Sequence, residues 1–124
     1  MQGKRPVALD LFSVRLPLTA VVSILHRLTG MLLFFLMPVL LWSLKYSLDN
    51  PNSFASLAQF FDAPWVKILA IVALWGLWHH LLAGIRHLLM DFGMGEGLAN
   101  ARKSAWATVG LALILALGMG VCLW

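Results

Sequence analysis

The sequence has few charged residues and almost no cysteine. Only 11% of its 124 residues are charged, about half the share in soluble domains, whereas 61% are hydrophobic and the mean hydropathy is +0.88. The single cysteine, Cys122, excludes an internal disulfide and a cysteine-based metal cluster within this chain. Linkers and low-complexity tracts are also missing, so we expect a single domain over residues 1–124. A composition this apolar excludes a soluble domain and indicates a membrane protein.

Three apolar stretches are long enough to cross a bilayer. They run over about residues 18–46, 65–90 and 104–124, and each has the twenty or so residues that a hydrocarbon core of about 30 Å requires. The segments between them, 47–64 and 92–103, are predicted to be loops because they contain polar residues and glycine or proline, with room for one short helical turn in the first. The sequence therefore predicts an all-α membrane protein with three transmembrane helices. The third span also carries small residues at four-residue spacing, which suit close helix packing, at Thr108, Ala112, Ala116 and Gly120.

The segment before the first span, from Met1 to about Thr19, mixes charged with apolar residues. It is predicted to lie at the membrane interface, and its charges argue against a cleavable signal peptide. Although the formal net charge is +4, the basic residues are scattered near span ends, so nucleic acid is not the expected partner.

The basic residues also predict the orientation of the chain. On one side of the membrane they are Lys4, Arg5, Arg15, Arg27, Arg86, Arg102 and Lys103. The other side has only Lys45 and Lys67. Because basic residues accumulate on the cytoplasmic side, the N-terminus is predicted to be cytoplasmic and the C-terminus periplasmic.

The second span keeps several ionisable residues on one face. At spacings of four, three and four, a narrow helical stripe is formed by His80, Gly84, His87 and Asp91. His79 and Arg86 point elsewhere, and we expect His79 to turn away from the packed interior. Ionisable groups are costly inside a bilayer, so such a stripe indicates a function. An imidazole at this depth with a small residue one turn away suits a haem ligand.

Helix geometry limits how these histidines can hold one iron. His80 lies about ten residues from the cytoplasmic end of its span, or about 15 Å deep. His80 and His87 are separated by about 10.5 Å along the helix, whereas two imidazoles on one iron place their nitrogens about 4 Å apart. A second histidine would have to come from another chain, or His26 would have to pair with His87. The alternative without a haem is a histidine hydrogen-bonded to a neighbouring helix.

A second group of polar residues stands at the start of the first span. Ser23, Arg27 and Gly30 share a helical face, and His26 lies beside it. A hydroxyl, an imidazole and a guanidinium at this depth suit a quinone head group or a haem propionate. The alternative is that these side chains reach out to lipid phosphates.

Together, the two groups resemble a known family. The shared motifs are Arg5-Pro6, Ser23-x-x-His26-Arg27-x-Thr29-Gly30 and His80-x-x-x-Gly84-Ile85-Arg86-His87-x-x-x-Asp91-x-Gly93. They are similar to the cytochrome b membrane-anchor subunit (the C-type anchor) of succinate dehydrogenase, respiratory complex II, in its proteobacterial form. The resemblance runs nearly end to end. His79 departs from the pattern, which has an aromatic or other residue there.

The resemblance implies one subunit of a multi-subunit helical bundle in the bacterial inner membrane. A flavoprotein subunit would oxidise succinate, and an iron–sulfur subunit would pass the electrons on. This chain and a second small membrane-anchor subunit would share a haem b and form part of a ubiquinone-reduction site. No complete catalytic site is expected on this chain alone.

The same resemblance assigns roles to individual residues. His80 would be one axial ligand of the haem iron, with the other axial histidine on the partner anchor. His26, Arg27 and His87 would approach the haem propionates, and Ser23 and Arg27 would line the quinone pocket. A function of another class, a small three-span channel or proton-relay protein, is the alternative, with the histidine stripe as its proton path.

Overall fold

The computed structural model describes residues 16–124 as four helices. These are α1 (Leu18–Asp49), α2 (Pro51–Asp62), α3 (Pro64–Asp91) and α4 (Leu98–Val121). Helices α1, α3 and α4 are long and apolar enough to span a membrane, which confirms the predicted fold class. The predicted interfacial segment, Met1 to about Thr19, lies mostly outside the described residues, as do Lys4, Arg5 and Arg15.

The prediction of a loop over residues 47–64 is wrong, because most of that segment is helix α2. The side chain of Asn50 caps this helix by accepting a hydrogen bond of 2.9 Å from the backbone N–H of Ser53. Pro51 occupies the first helical turn, where no N–H is needed. Asparagine and proline, which suggested a loop, therefore act here as signals that start a helix.

The prediction of a loop over residues 92–103 is also wrong in its second half. Helix α4 begins at Leu98, six residues before the predicted start of the third span, and it ends at Val121. Its first turns contain Ala, Leu, Arg and Lys, which are strong helix formers. The turn between α3 and α4 is short, and Gly93 and Gly95 both have a φ of +77° there, a conformation that favours glycine.

Helix α4 packs antiparallel against α3 through small residues. Its buried residues are Ala101, Ala105, Thr108, Ala112, Ala116 and Gly120, which confirms that the predicted small-residue stripe is a packing face. A Cβ added at Gly120 would lie 2.9 Å from the side chain of Ile71, so the two helices approach closely there. Trp78 adds a hydrogen bond of 3.2 Å from its Nε1–H to Sδ of Met119.

Helix α1 also runs antiparallel to α3 but buries few residues within this chain. Only Val22, Thr29 and Ser43 are buried on it, whereas large side chains such as Phe34 are exposed. An apolar cavity of about 1000 Å³ lies between α1, α2 and α3. Exposed apolar surface of this extent is expected where lipid or other helices cover the chain.

The corner between α2 and α3 is held by an ion pair. Nζ of Lys67 lies 2.7 Å from Oδ1 of Asp62, and the same Nζ lies 5.6 Å from the ring centre of Trp124 at the end of the chain. The hydrogen bond from Lys67, and then its positive charge, lower the pKa of the exposed Asp62 carboxyl. Lys67, at the start of α3, therefore contacts both α2 and the end of the chain.

Candidate functional site

Three of the four histidines meet where α1 crosses α3. The rings of His26 and His80 stack with their centres 4.3 Å apart and their planes 8° from parallel. The ring of His87 meets His26 edge-on, with the centres 5.3 Å apart. All three residues are half-buried. The fold thus joins the two groups of polar residues that the sequence singled out in different spans.

Two glycines allow these rings to approach the opposite helix. A Cβ added at Gly84 on α3 would lie 3.3 Å from Nε2 of His26, and one added at Gly30 on α1 would lie 2.9 Å from Cε1 of His80. Each glycine follows a histidine of its own helix by four residues, and the helices are antiparallel. Each histidine therefore lies over the glycine of the other helix. Because Gly84 has no side chain, the imidazole of His26 fits against α3 at that position.

The hydrogen bonds of His80 define its tautomer. Its Nδ1 lies 3.0 Å from the backbone carbonyl oxygen of His26 and 3.5 Å from Oγ1 of Thr29. A carbonyl oxygen only accepts, so Nδ1 carries the proton and Nε2 of the neutral ring keeps its lone pair. No hydrogen bond to Nε2 is found among residues 16–124. This is the arrangement that metal-ligating histidines adopt, with the second ring nitrogen donating to a carbonyl.

His80 lies well inside α3, a candidate membrane span. It is eleven residues before Asp91, the last residue of α3, which corresponds to about 16 Å along the helix. Together, this position and the lone pair on Nε2 of His80 fit one ligand of a haem iron.

A second axial ligand is not supplied by the described residues in this arrangement. Two imidazoles on one haem iron point their nitrogens at each other across about 4 Å, which holds the ring centres more than about 6 Å apart. The stacked pair His26–His80 presents faces rather than nitrogens, and the rings of His26 and His87 are too close. The predicted possibility that His26 and His87 hold the iron together does not fit this geometry.

Ser23 and Arg27 stand on α1 within one turn of His26. Ser23 is half-buried, whereas Arg27 is exposed on the surface of the chain. Among residues 16–124, neither side chain makes a hydrogen bond with the histidine cluster. The guanidinium of Arg27 is therefore accessible to a ligand or partner outside the described residues.

His79 differs from the prediction, because it lies in the packed interior of the chain. Its side chain is fully buried, and its ring centre is 5.3 Å from that of Trp75. Neither ring nitrogen has a hydrogen-bond partner within the described part of the chain. The prediction failed because His79 lies on the side of α3 that the other helices of this chain cover, where Gly76, Ala83 and Arg86 are also buried.

Arg86 is a structural residue that the sequence did not identify. It is only 6% exposed, and its Nε donates to Oγ of Ser104 at 2.9 Å. Its Nη2 donates to the carbonyl oxygen of Ala101 at 3.2 Å. Among residues 16–124, no carboxylate lies within ion-pair distance of this guanidinium. We call these two hydrogen bonds, which join α3 to the start of α4, the clamp. In the sequence, the small residues at the start of α4 were the feature that indicated such a close approach.

The sequence is similar to known proteins over most or all of its length. A model of the succinate dehydrogenase/fumarate reductase transmembrane subunit family matches residues 1–119. The succinate dehydrogenase cytochrome b556 subunit of Coxiella burnetii is 37% identical over 125 residues, covering 100% of both chains. That of Paracoccus denitrificans is 36% identical over 116 residues, covering 93% of this chain and 88% of the relative. The cytochrome b560 subunit of Reclinomonas americana is 27% identical over 132 residues, covering 94% and 85%. The chain therefore belongs to the family of succinate dehydrogenase/fumarate reductase transmembrane subunits.

Proposed function

We propose that this chain is the cytochrome b anchor of a succinate:ubiquinone oxidoreductase, sharing a haem b and a quinone site with its partners. The observation that carries the proposal is the hydrogen bond from Nδ1 of His80 to the carbonyl of His26, because it leaves Nε2 as a ligand at membrane depth. The names of the relatives, cytochrome b556 and b560 subunits, support the same conclusion.

His80 would hold the haem iron from this chain, and a histidine of the second small anchor subunit would complete the pair. When bound, the haem b supplies a one-electron carrier within the membrane. His26 and His87 offer ring N–H donors next to His80, and Arg27 offers a cation, so these three side chains would bind the propionates. This chain would therefore orient the ligating imidazole of His80 and balance the negative charge of the propionates.

Ser23 and Arg27 would bind the quinone head group. Reduction of ubiquinone to ubiquinol takes two electrons and two protons, so its carbonyl oxygens need donors that stabilise developing negative charge. Arg27 is a permanent cation with several N–H donors, and its exposure leaves those donors available to a ligand at the surface of this chain. Ser23, one turn earlier, adds a hydroxyl that can donate or accept.

The N-terminus would lie in the cytoplasm and the C-terminus in the periplasm of a bacterial inner membrane. Three candidate spans put the two ends on opposite sides, and basic residues favour the cytoplasm. The iron–sulfur subunit, with the flavoprotein bound to it, would then dock at the end of the bundle that carries Ser23 and Arg27. There it could deliver electrons to the quinone, and water could supply protons.

The test is to compare two activities of the purified complex. Ser23→Ala and Arg27→Leu should each lower succinate–quinone reduction at least about tenfold, the scale of losing one good transition-state donor. Succinate oxidation by a soluble dye should stay near normal, because it bypasses the membrane site. Arg102→Leu is the matched control, since Arg102 is an exposed arginine on α4.

Two results would contradict the proposal. Intact quinone reduction in both assembled variants would mean that Ser23 and Arg27 contact lipid and that the quinone binds elsewhere. A visible spectrum of the complex without haem b bands would favour a channel or proton relay instead.

A further inference from the structure

We propose that Gly30, Thr29 and the backbone carbonyl of His26 form a seat on α1 that fixes the orientation of the His80 imidazole. This inference rests on the proposed function, because it assumes that His80 is the haem ligand. Gly30 and Thr29 are then positioning residues, which act on the iron through a histidine of another helix.

The first support is the distance between Gly30 and the ring. A Cβ at position 30 would lie 2.9 Å from Cε1, 3.4 Å from Nδ1 and 4.0 Å from Nε2 of His80. Carbon atoms in good contact are about 3.5–4.0 Å apart, so a methyl group at position 30 would overlap the ring. The backbone of α1 is held by its own hydrogen bonds. The ring, at the end of a side chain, is what would move.

The second support is the carbonyl of His26. In an α-helix this oxygen accepts the N–H of Gly30, four residues later, and it keeps a second lone pair. Because Gly30 has no side chain, Nδ1 of His80 can reach that lone pair from α3, at 3.0 Å. The same missing Cβ therefore gives the ring its space and its hydrogen-bond acceptor.

Thr29 supplies the third part of the seat. Its side chain is almost fully buried, and its hydroxyl lies 2.8 Å from the carbonyl of Leu25 and 3.0 Å from that of His26. Since the hydroxyl proton goes to a carbonyl of its own helix, a lone pair of Oγ1 remains for Nδ1–H of His80 at 3.5 Å. Thr29 thus reinforces the tautomer that leaves Nε2 for a metal.

The stacked ring of His26 limits how His80 can respond to a change at position 30. It lies against one face of the His80 ring with the centres 4.3 Å apart. A methyl group at Gly30 would press on the ring edge and weaken the bond from Nδ1 to the carbonyl. We expect the ring to tilt and Nε2 to move with it.

The experiment uses the assembled complex with Gly30→Ala. We expect the electron paramagnetic resonance signal of the low-spin haem to shift and the haem potential to change. Substitutions of groups that orient a metal ligand typically lower affinity by about 10- to 100-fold, so haem should also transfer to apomyoglobin about tenfold faster or more. Gly110→Ala is the matched control, because a Cβ there meets nothing within 4 Å and gives the same gain in helix propensity. A similar shift in Gly110→Ala would overturn the proposal.

A second pair of variants keeps the test open if Gly30→Ala does not assemble. Thr29→Val keeps the shape of the side chain but removes the hydroxyl, so it should shift the low-spin haem signal. Thr29→Ser keeps the hydroxyl and should give the wild-type spectrum. Identical spectra for these two variants would refute the seat.

His80→Ala separates this inference from the proposed function. If His80→Ala removes the low-spin signal while Gly30→Ala leaves it unchanged, the seat is wrong and the ligand assignment stands. A low-spin signal that survives in His80→Ala overturns both.

Discussion

The clamp between α3 and α4 allows a prediction in which the smaller substitution is the more harmful. Arg86 is buried and donates to Ser104 and to the carbonyl of Ala101. Hydrogen bonds from charged groups contribute about 1.5–3 kcal/mol each, and a buried charged donor without its acceptor costs about as much or more. We therefore compare Ser104→Ala, which leaves the charge in place, with Arg86→Leu, which removes it.

In Ser104→Ala, Nε of a buried cation loses its acceptor. In Arg86→Leu, Oγ of Ser104 still donates to the carbonyl of Ala101 at 3.1 Å, so no buried group is left unpaired. Apolar replacement of a buried charge is often close to neutral. We expect Ser104→Ala to weaken the docking of α4 by about 1–3 kcal/mol and Arg86→Leu to weaken it less.

Hydrogen exchange of residues 98–105 in the assembled complex measures this docking locally. Because about 1.4 kcal/mol is a factor of ten, exchange in Ser104→Ala should accelerate about 5- to 150-fold. Adding Arg86→Leu to Ser104→Ala should reverse part of that increase. Ser56→Ala is the control, since the exposed Ser56 hydroxyl also donates to a carbonyl of its own helix but meets no arginine. Exchange rates for Ser104→Ala equal to this control, or no recovery in the double variant, would refute the clamp.

Two further predictions concern topology and His79. With an odd number of spans, a reporter fused to the C-terminus should be active only in the periplasm, and the exposed Cys122 should react faster with reagents added from that side; a cytoplasmic C-terminus would contradict both the orientation and the depth of the site. His79→Leu should keep the haem spectrum and keep or improve stability, because leucine fills the space of a buried ring that has no described hydrogen-bond partner. His79→Ala should destabilise the chain by about 2 kcal/mol or more, because it leaves a cavity. If calorimetry of the complex finds His79→Leu the less stable variant, the His79 ring is not a space-filling residue.

The sequence predicted the spans well because membrane helices have a strong signal. The hydrocarbon core demands about twenty apolar residues in a row, and three long apolar helices are present. The connections were harder to predict. Pro51 and Asn50 suggest a loop as readily as a helix start, and only the cap geometry distinguishes the two. The charged start of α4 suggested a loop, although arginine and lysine are good helix formers.

The candidate site was predictable as a set of residues but not as an arrangement. Helical periodicity placed His80 and His87 on one face of α3, and motif resemblance connected them with His26. The rings of His26 and His80 stack because α1 and α3 cross at that point. Helical periodicity describes one helix at a time and cannot predict where two helices cross. The burial of His79 likewise depends on how α1 and α4 pack on α3, because this packing decides which side of α3 is covered.

The most direct measurement of the central claim is the low-temperature electron paramagnetic resonance spectrum of the complex with single histidine replacements. We expect the low-spin bis-histidine signal to disappear or change in His80→Ala and His80→Tyr, because we propose Nε2 of His80 as the ligand nitrogen of this chain. His79→Leu should keep the signal, since that ring is fully buried beside Trp75 and is not stacked with the other histidines. A spectrum that survives without His80 but is lost without His79 would contradict the account.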